Sequence, residues 1–166
     1  MTFKRTNQKG FTLVELLVVI AIIVVLAGVV VIVINPAQLL AKGRDAKRIQ
    51  DAENLSKAIS LALADGEMTL IDAAASTSAT GTQAVDGTGY VGYAIPATKV
   101  GLVKYIATLP VDPTNAAPAV YTFASEAATG YELNVVLEST DNLGKMTTDG
   151  GNDDAVYEVG TSLTIL

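Results

Sequence analysis

Apolar side chains run almost unbroken from Phe11 to Ile34, with Glu15 as the one ionisable group among them. A run of that length predicts a helix about 36 Å long at roughly 1.5 Å per residue, enough to cross a hydrocarbon core of about 30 Å. Beyond it the period changes. Ile49, Ala52, Leu55, Ile59 and Ala62/Leu63 recur at three- and four-residue steps, which predicts one apolar face on a continuing helix. Lys47 and Asp51, four residues apart, fall on a polar side where they can pair. Asn35-Pro36 separates the two halves. Proline lacks a backbone donor and crowds the preceding turn, so a kink or local unwinding is expected there. Asp65-Gly66 supplies the stop, since glycine suits the left-handed residue that closes a helix.

Residues 72–92 are rich in Ala, Ser, Thr and Gly and predict an exposed, variable loop. Residues 99–107 predict a short helix with Leu102, Val103 and Ile106 turned inward. Pro110, Pro113 and Pro118 then punctuate a turn-rich connection. The last third alternates. Tyr121 and Phe123 alternate with Thr122 and Ala124, and Tyr131, Leu133, Val135 and Leu137 alternate with Glu132, Asn134, Val136 and Glu138. Residues 125–130 suit a hairpin connection. Residues 156–159 form a further extended stretch, which Leu163 and Ile165 continue after Gly160. One face of an antiparallel sheet of three or four strands would cover the apolar face of the helix, an α+β arrangement.

Composition removes several kinds of chemistry. With no cysteine and no histidine, the chain lacks Cys/His nucleophile–base pairs, zinc sites built on those ligands and Ser-His-Asp hydrolysis. No pair of carboxylates stands out for acid–base work, so no catalytic residue is assigned and no enzyme is expected. A domain without disulfides must hold itself by packing, hydrogen bonds or a metal ion. The net charge of −6 opposes phosphate contacts, so no nucleic-acid contact is expected. Gly87-Thr88-Gly89-Tyr90-Val91-Gly92 matches GxGxxG, but such glycines bind a dinucleotide only between a strand and a helix of a βαβ unit. Nothing around it supplies that unit, and the flexible-loop reading is preferred.

The apolar run is too long for a cleaved secretory signal, whose apolar region spans about 7–15 residues and ends at a small-residue site. Here the small residue, Gly10, comes first. An ordinary signal anchor remains an alternative on hydropathy alone. The stretch Lys9-Gly10-Phe11-Thr12-Leu13-Val14-Glu15-Leu16-Leu17, with Lys4 and Arg5 ahead of it, resembles the class III leader of type IV prepilins and type II secretion pseudopilins. The resemblance implies a membrane-embedded prepilin peptidase cutting after Gly10, N-methylation of Phe11, and a subunit-assembly role for Glu15. That carboxylate would meet the N-terminal amine of a neighbouring subunit, each charge lowering the desolvation cost of the other. An interfacial carboxylate with no such role is the plainer alternative.

Charge alone does not orient the span, because Lys42, Arg44, Lys47 and Arg48 follow it as Lys4, Arg5 and Lys9 precede it. The resemblance places the N-terminus in the cytoplasm and the precursor in the inner membrane. It implies a later filament at the cell surface or in the envelope. It divides the chain into a leader (1–10), a transmembrane and filament-core helix (11–34), its amphipathic continuation (35–64), a variable region with a short helix (65–118), and a sheet with an acidic loop (119–166). Further partners implied are copies of itself, an inner-membrane assembly platform and minor pilins. The reading favoured is a major pilin-like filament subunit. A major pseudopilin of a type II secretion system is the alternative within the class. A monomeric membrane-anchored surface domain, or an anchored enzyme or binding domain, is the alternative outside it.

One further stretch bears on chemistry. Asp149-Gly150-Gly151-Asn152-Asp153-Asp154 supplies three carboxylates and an amide in a glycine-containing loop, oxygens of the kind calcium prefers. Major pseudopilins bind calcium in a loop similar in placement and composition, so Asp149, Asn152, Asp153 and Asp154 are candidate calcium ligands. The alternative is a solvated acidic turn.

Overall fold

The computed structural model describes residues 10–166, so Lys4, Arg5 and Lys9 of the leader lie outside the described residues. The apolar run forms α1, Leu13–Ile34, in which every described side chain is exposed. Its stretch Leu13–Val31 is long and apolar enough to cross a membrane. At Asn35 the helix breaks: this residue sits at φ 45°, because a following proline disfavours the right-handed region and asparagine tolerates the left-handed one. Pro36 then opens α2, Pro36–Ala64, at the position where a missing N–H costs nothing. The Gln38 amide donates to the Asn35 carbonyl (3.0 Å) and approaches its side-chain oxygen (3.4 Å). The expected kink is thus a one-residue break that also caps the second helix.

The chain divides after Leu39 into two compact units. In the second, α2 ends as expected at Gly66, whose φ is 62°. The Glu67 amide reaches the Ala62 carbonyl at 2.8 Å and the Gly66 amide reaches Leu63 at 3.1 Å, satisfying carbonyls the helix leaves open. Strands β1 (Ala73–Thr77), β2 (Tyr121–Glu126), β3 (Gly130–Val135) and β4 (Tyr157–Gly160) form one antiparallel sheet in sequential order. Ala52, Leu55, Ile59 and Ala62 of α2 pack into a core with Tyr121, Phe123, Tyr131, Leu133 and Val135 of the sheet. The Tyr131 hydroxyl contacts Ser56 at 2.8 Å and that of Tyr121 donates to Asp51 at 2.9 Å, tying helix to sheet. The architecture is α+β, a long N-terminal helix followed by a four-stranded antiparallel sheet, as in the pilin fold.

Three local expectations need correction. The stretch 72–92 is not a bare loop. It carries β1, and Tyr90 and Val91 are fully buried, because Thr82 and Gln83 engage Tyr90 and Leu109 through backbone bonds that fold the segment onto the core. The short helix shrinks to a 3-10 turn, Gly101–Lys104, in which Leu102 is buried but Val103 is exposed. Gly101 sits at φ 75°, which bars an α-helix from running through it. Finally, Leu163 and Ile165 extend no strand. The amides of Ile165 and Leu166 instead donate to Glu132 Oε2 at 2.7 and 3.0 Å, covering the sheet face away from α2. This covers Glu132 on the polar side of the alternation, where Asn134 and Glu158 are buried too.

Candidate functional site

The N-terminal motif is built by helix capping. Thr12 has extended backbone, φ −83° and ψ 152°, and its Oγ1 accepts from the Glu15 amide at 3.2 Å. In return, Glu15 Oε2 accepts from both the Thr12 amide and the Thr12 hydroxyl, each at 2.8 Å. The first amides of a helix lack internal partners, and this reciprocal box satisfies them while placing a carboxylate at the positive end of the helix dipole. Both bonds fall on Oε2, so Oε1 takes no hydrogen bond among the described residues. Gly10 and Phe11 lie ahead of the cap in non-helical backbone, with Phe11 88% exposed. Helix α1 therefore starts at Leu13, two residues later than the apolar run. The signal was present as Thr12-x-x-Glu15, a capping-box pattern that the hydropathy reading passes over.

A second polar cluster lies in the other unit and escaped the sequence reading. Arg48 is 1% exposed and binds three carboxylates: Asp112 (2.6 Å from Nε), Asp45 (3.0 Å) and Glu138 (2.6 Å). Asp45 in turn accepts the amides of Glu138 (3.0 Å) and Ser139 (2.8 Å) and the side-chain amide of Asn142 (3.2 Å). Arg44 adds a two-pronged contact to Glu138 at 2.6 and 2.7 Å, and together with Arg48 holds that carboxyl down at about 2 against the opposing effect of burial. The group ties α2 to the connections before and after the β2–β3 hairpin. Its signal is positional. Asp45 and Arg48 continue the stripe of Ala52, Leu55, Ile59 and Ala62 backwards along α2, putting charges where the spacing demands burial.

The acidic loop folds around a residue outside the candidate calcium set. Glu158 accepts the amides of Asn152 (3.3 Å) and Asp153 (3.0 Å), while Asp149 Oδ2 accepts the Glu158 amide at 2.8 Å. Asp149 Oδ1 and Asp153 Oδ1 are engaged by the amides of Gly151 and Ala155. Burial, together with the neighbouring Glu132, pushes the Glu158 carboxyl above its usual range. Among the described residues no three acidic side chains converge to hold a metal ion. As arranged, the loop does not fit a calcium cage. The GxGxxG stretch lies in turns rather than between a strand and a helix, and adding a Cβ at Gly89 would bring it 2.2 Å from the Ala84 carbonyl. Those glycines serve close backbone packing.

Residues 5–31 match the family model described as the prokaryotic N-terminal methylation motif. The chain thus carries a class III leader of the type IV pilin and pseudopilin kind. Neither a curated protein nor a solved structure matches it.

Proposed function

We propose that this chain, a type IV pilin-like or pseudopilin precursor by its motif, is the major structural subunit of a type IV pilus-type filament. A prepilin peptidase cuts after Gly10 and the new amine on Phe11 is methylated. The observation that carries the reading is one stretch in which the matched motif opens an apolar helix with no partner in its own unit. In the inner membrane that helix is satisfied by hydrocarbon. Outside it, equivalent helices from other copies must cover the same surface, so leaving the bilayer and polymerising are coupled. Glu15 supports the coupling. A lone carboxylate costs up to about 3 kcal/mol at the bilayer centre, and a neighbour's cationic Phe11 amine offsets that cost. Oε1, which takes no hydrogen bond among the described residues, is the oxygen available to receive it. The assembly platform and minor pilins act as partners, and the filament reaches the envelope or cell surface. A secretion pseudopilus is the second reading, since residues 109–113 are similar to a segment of major pseudopilins, although some pilins share it.

Intact-mass analysis and N-terminal sequencing of membrane and sheared-filament fractions test this. The expected species begins at methylated Phe11. Retention of Met1, or cleavage beyond Ile34, overturns the reading. Glu15→Ala should be inserted and cleaved while filament yield falls by about tenfold or more, the effect of losing roughly 1.4 kcal/mol or more per contact.

A further inference from the structure

We propose that Thr12 is a positioning residue for leader removal: its N-cap fixes the start of α1 and so holds the Gly10–Phe11 bond in non-helical, exposed backbone. The inference rests on the processing reading above and goes beyond it, because it assigns a role to a side chain next to the cut rather than at it. Backbone inside a helix has its N–H and C=O groups committed to the internal ladder. A peptidase binds its substrate by making those hydrogen bonds itself, so the scissile peptide must lie outside the ladder.

Hydropathy gives no such boundary, since Phe11 and Leu13 are both apolar and neither stops a helix. The boundary comes from Thr12. Its extended backbone and the 3.2 Å bond from the Glu15 amide to Oγ1 end the ladder at Leu13, and the Glu15 carboxylate closes the opposite side by taking the Thr12 amide at 2.8 Å. Upstream of that lock, Gly10 and Phe11 stay non-helical and exposed. Gly10 has open space around the position a Cβ would take, so crowding there does not set the boundary.

The test uses the full precursor in detergent micelles with a purified prepilin peptidase, comparing wild type with Thr12→Val and Thr12→Ser. Valine keeps the shape and β-branching of threonine but offers no acceptor, whereas serine keeps the cap. Two quantities are read: kcat/KM for cleavage after Gly10, and the backbone 13C shifts of residues 10–13. Thr12→Val is expected to move Phe11 toward helical shifts and to slow cleavage about fivefold, the weight of a typical N-cap; Thr12→Ser should match wild type in both. Cleavage of Thr12→Val at the wild-type rate overturns the proposal. So does slow cleavage with unchanged shifts, which would mean that the enzyme reads the hydroxyl directly. If wild type is not cut after Gly10 at all, the processing reading itself fails, a distinguishable result.

Discussion

Single side chains carry most of what is specific about this molecule, and Arg48 shows how. A guanidinium at 1% exposure is tolerable only because three carboxylates surround it, and they are tolerable only because it is there. Breaking such a group from one side strands the rest. Arg48→Met should cost about 3–5 kcal/mol by leaving Asp45 and Asp112, themselves 0% and 2% exposed, without their counter-ion. The same cluster sets an acid limit. Glu138 titrates at about 2 in the folded chain against an ordinary 4.5. A carboxyl held lower in the folded than in the unfolded state contributes stability that is present above about pH 4.5 and lost as pH falls toward 2. Thermal melts of the full chain in detergent should therefore decline across that window. Arg48→Met should show a smaller decline there, because one of the cations that lower Glu138 is gone.

At the scale of elements, the chain's own punctuation proved more informative than its hydropathy. Gly66 ends α2 at φ 62° with no atom within 4 Å of where a Cβ would sit, so Gly66→Ala isolates backbone strain from packing. It should destabilise the second unit by about 1 kcal/mol, the cost of an L-residue in the left-handed region, seen as a Tm a few degrees lower. An unchanged Tm would mean that the helix end relaxes without loss. The legible elements were those with strict local periods. The stripe on α2, the alternation of Tyr131, Leu133 and Val135, and the Asn35-Pro36 break can all be read from a few neighbouring residues. What the sequence hid depends on distant contacts. Ala73-Ala74-Ala75-Ser76-Thr77 has no strand-like pattern, and it becomes β1 only because β2 offers it a free edge. Glu132 reads as an outward residue and is buried because the chain's last two amides fold back onto it. At the candidate site, Gly10, Phe11 and Glu15 stood out through the leader motif that their stretch resembles. Thr12 was legible as a cap but outweighed by the apolar run, while Arg48 required knowledge of which loops α2 would meet.

On the scale of the whole molecule, the C-terminal third holds itself together without a disulfide, and the arrangement around Glu158 accounts for how it does so. Two loop amides converge on the Glu158 carboxylate and two terminal amides on that of Glu132, so the acidic loop and the chain end are both fastened to the outer face of the sheet by backbone donors. A calcium ion would serve the same purpose, but it needs six to eight oxygens pointing inward at about 2.3–2.6 Å. Here three of the four carboxylate oxygens of Asp149 and Asp153 are already turned toward amides. A ligand bound only to the folded state at a hundredfold excess over its Kd would add about 2.7 kcal/mol, a shift of several degrees in Tm. The fastening described here predicts instead that millimolar calcium and magnesium act alike on the full chain in detergent, through ionic strength alone. It further predicts that Glu158→Ala loosens the loop, exposing the amides of Asn152 and Asp153 to hydrogen exchange. A saturable calcium-specific heat in calorimetry, abolished by Asp153→Ala or Asp154→Ala, would show that the loop rearranges around the ion and that the carboxylate fastening is the apo half of a metal switch.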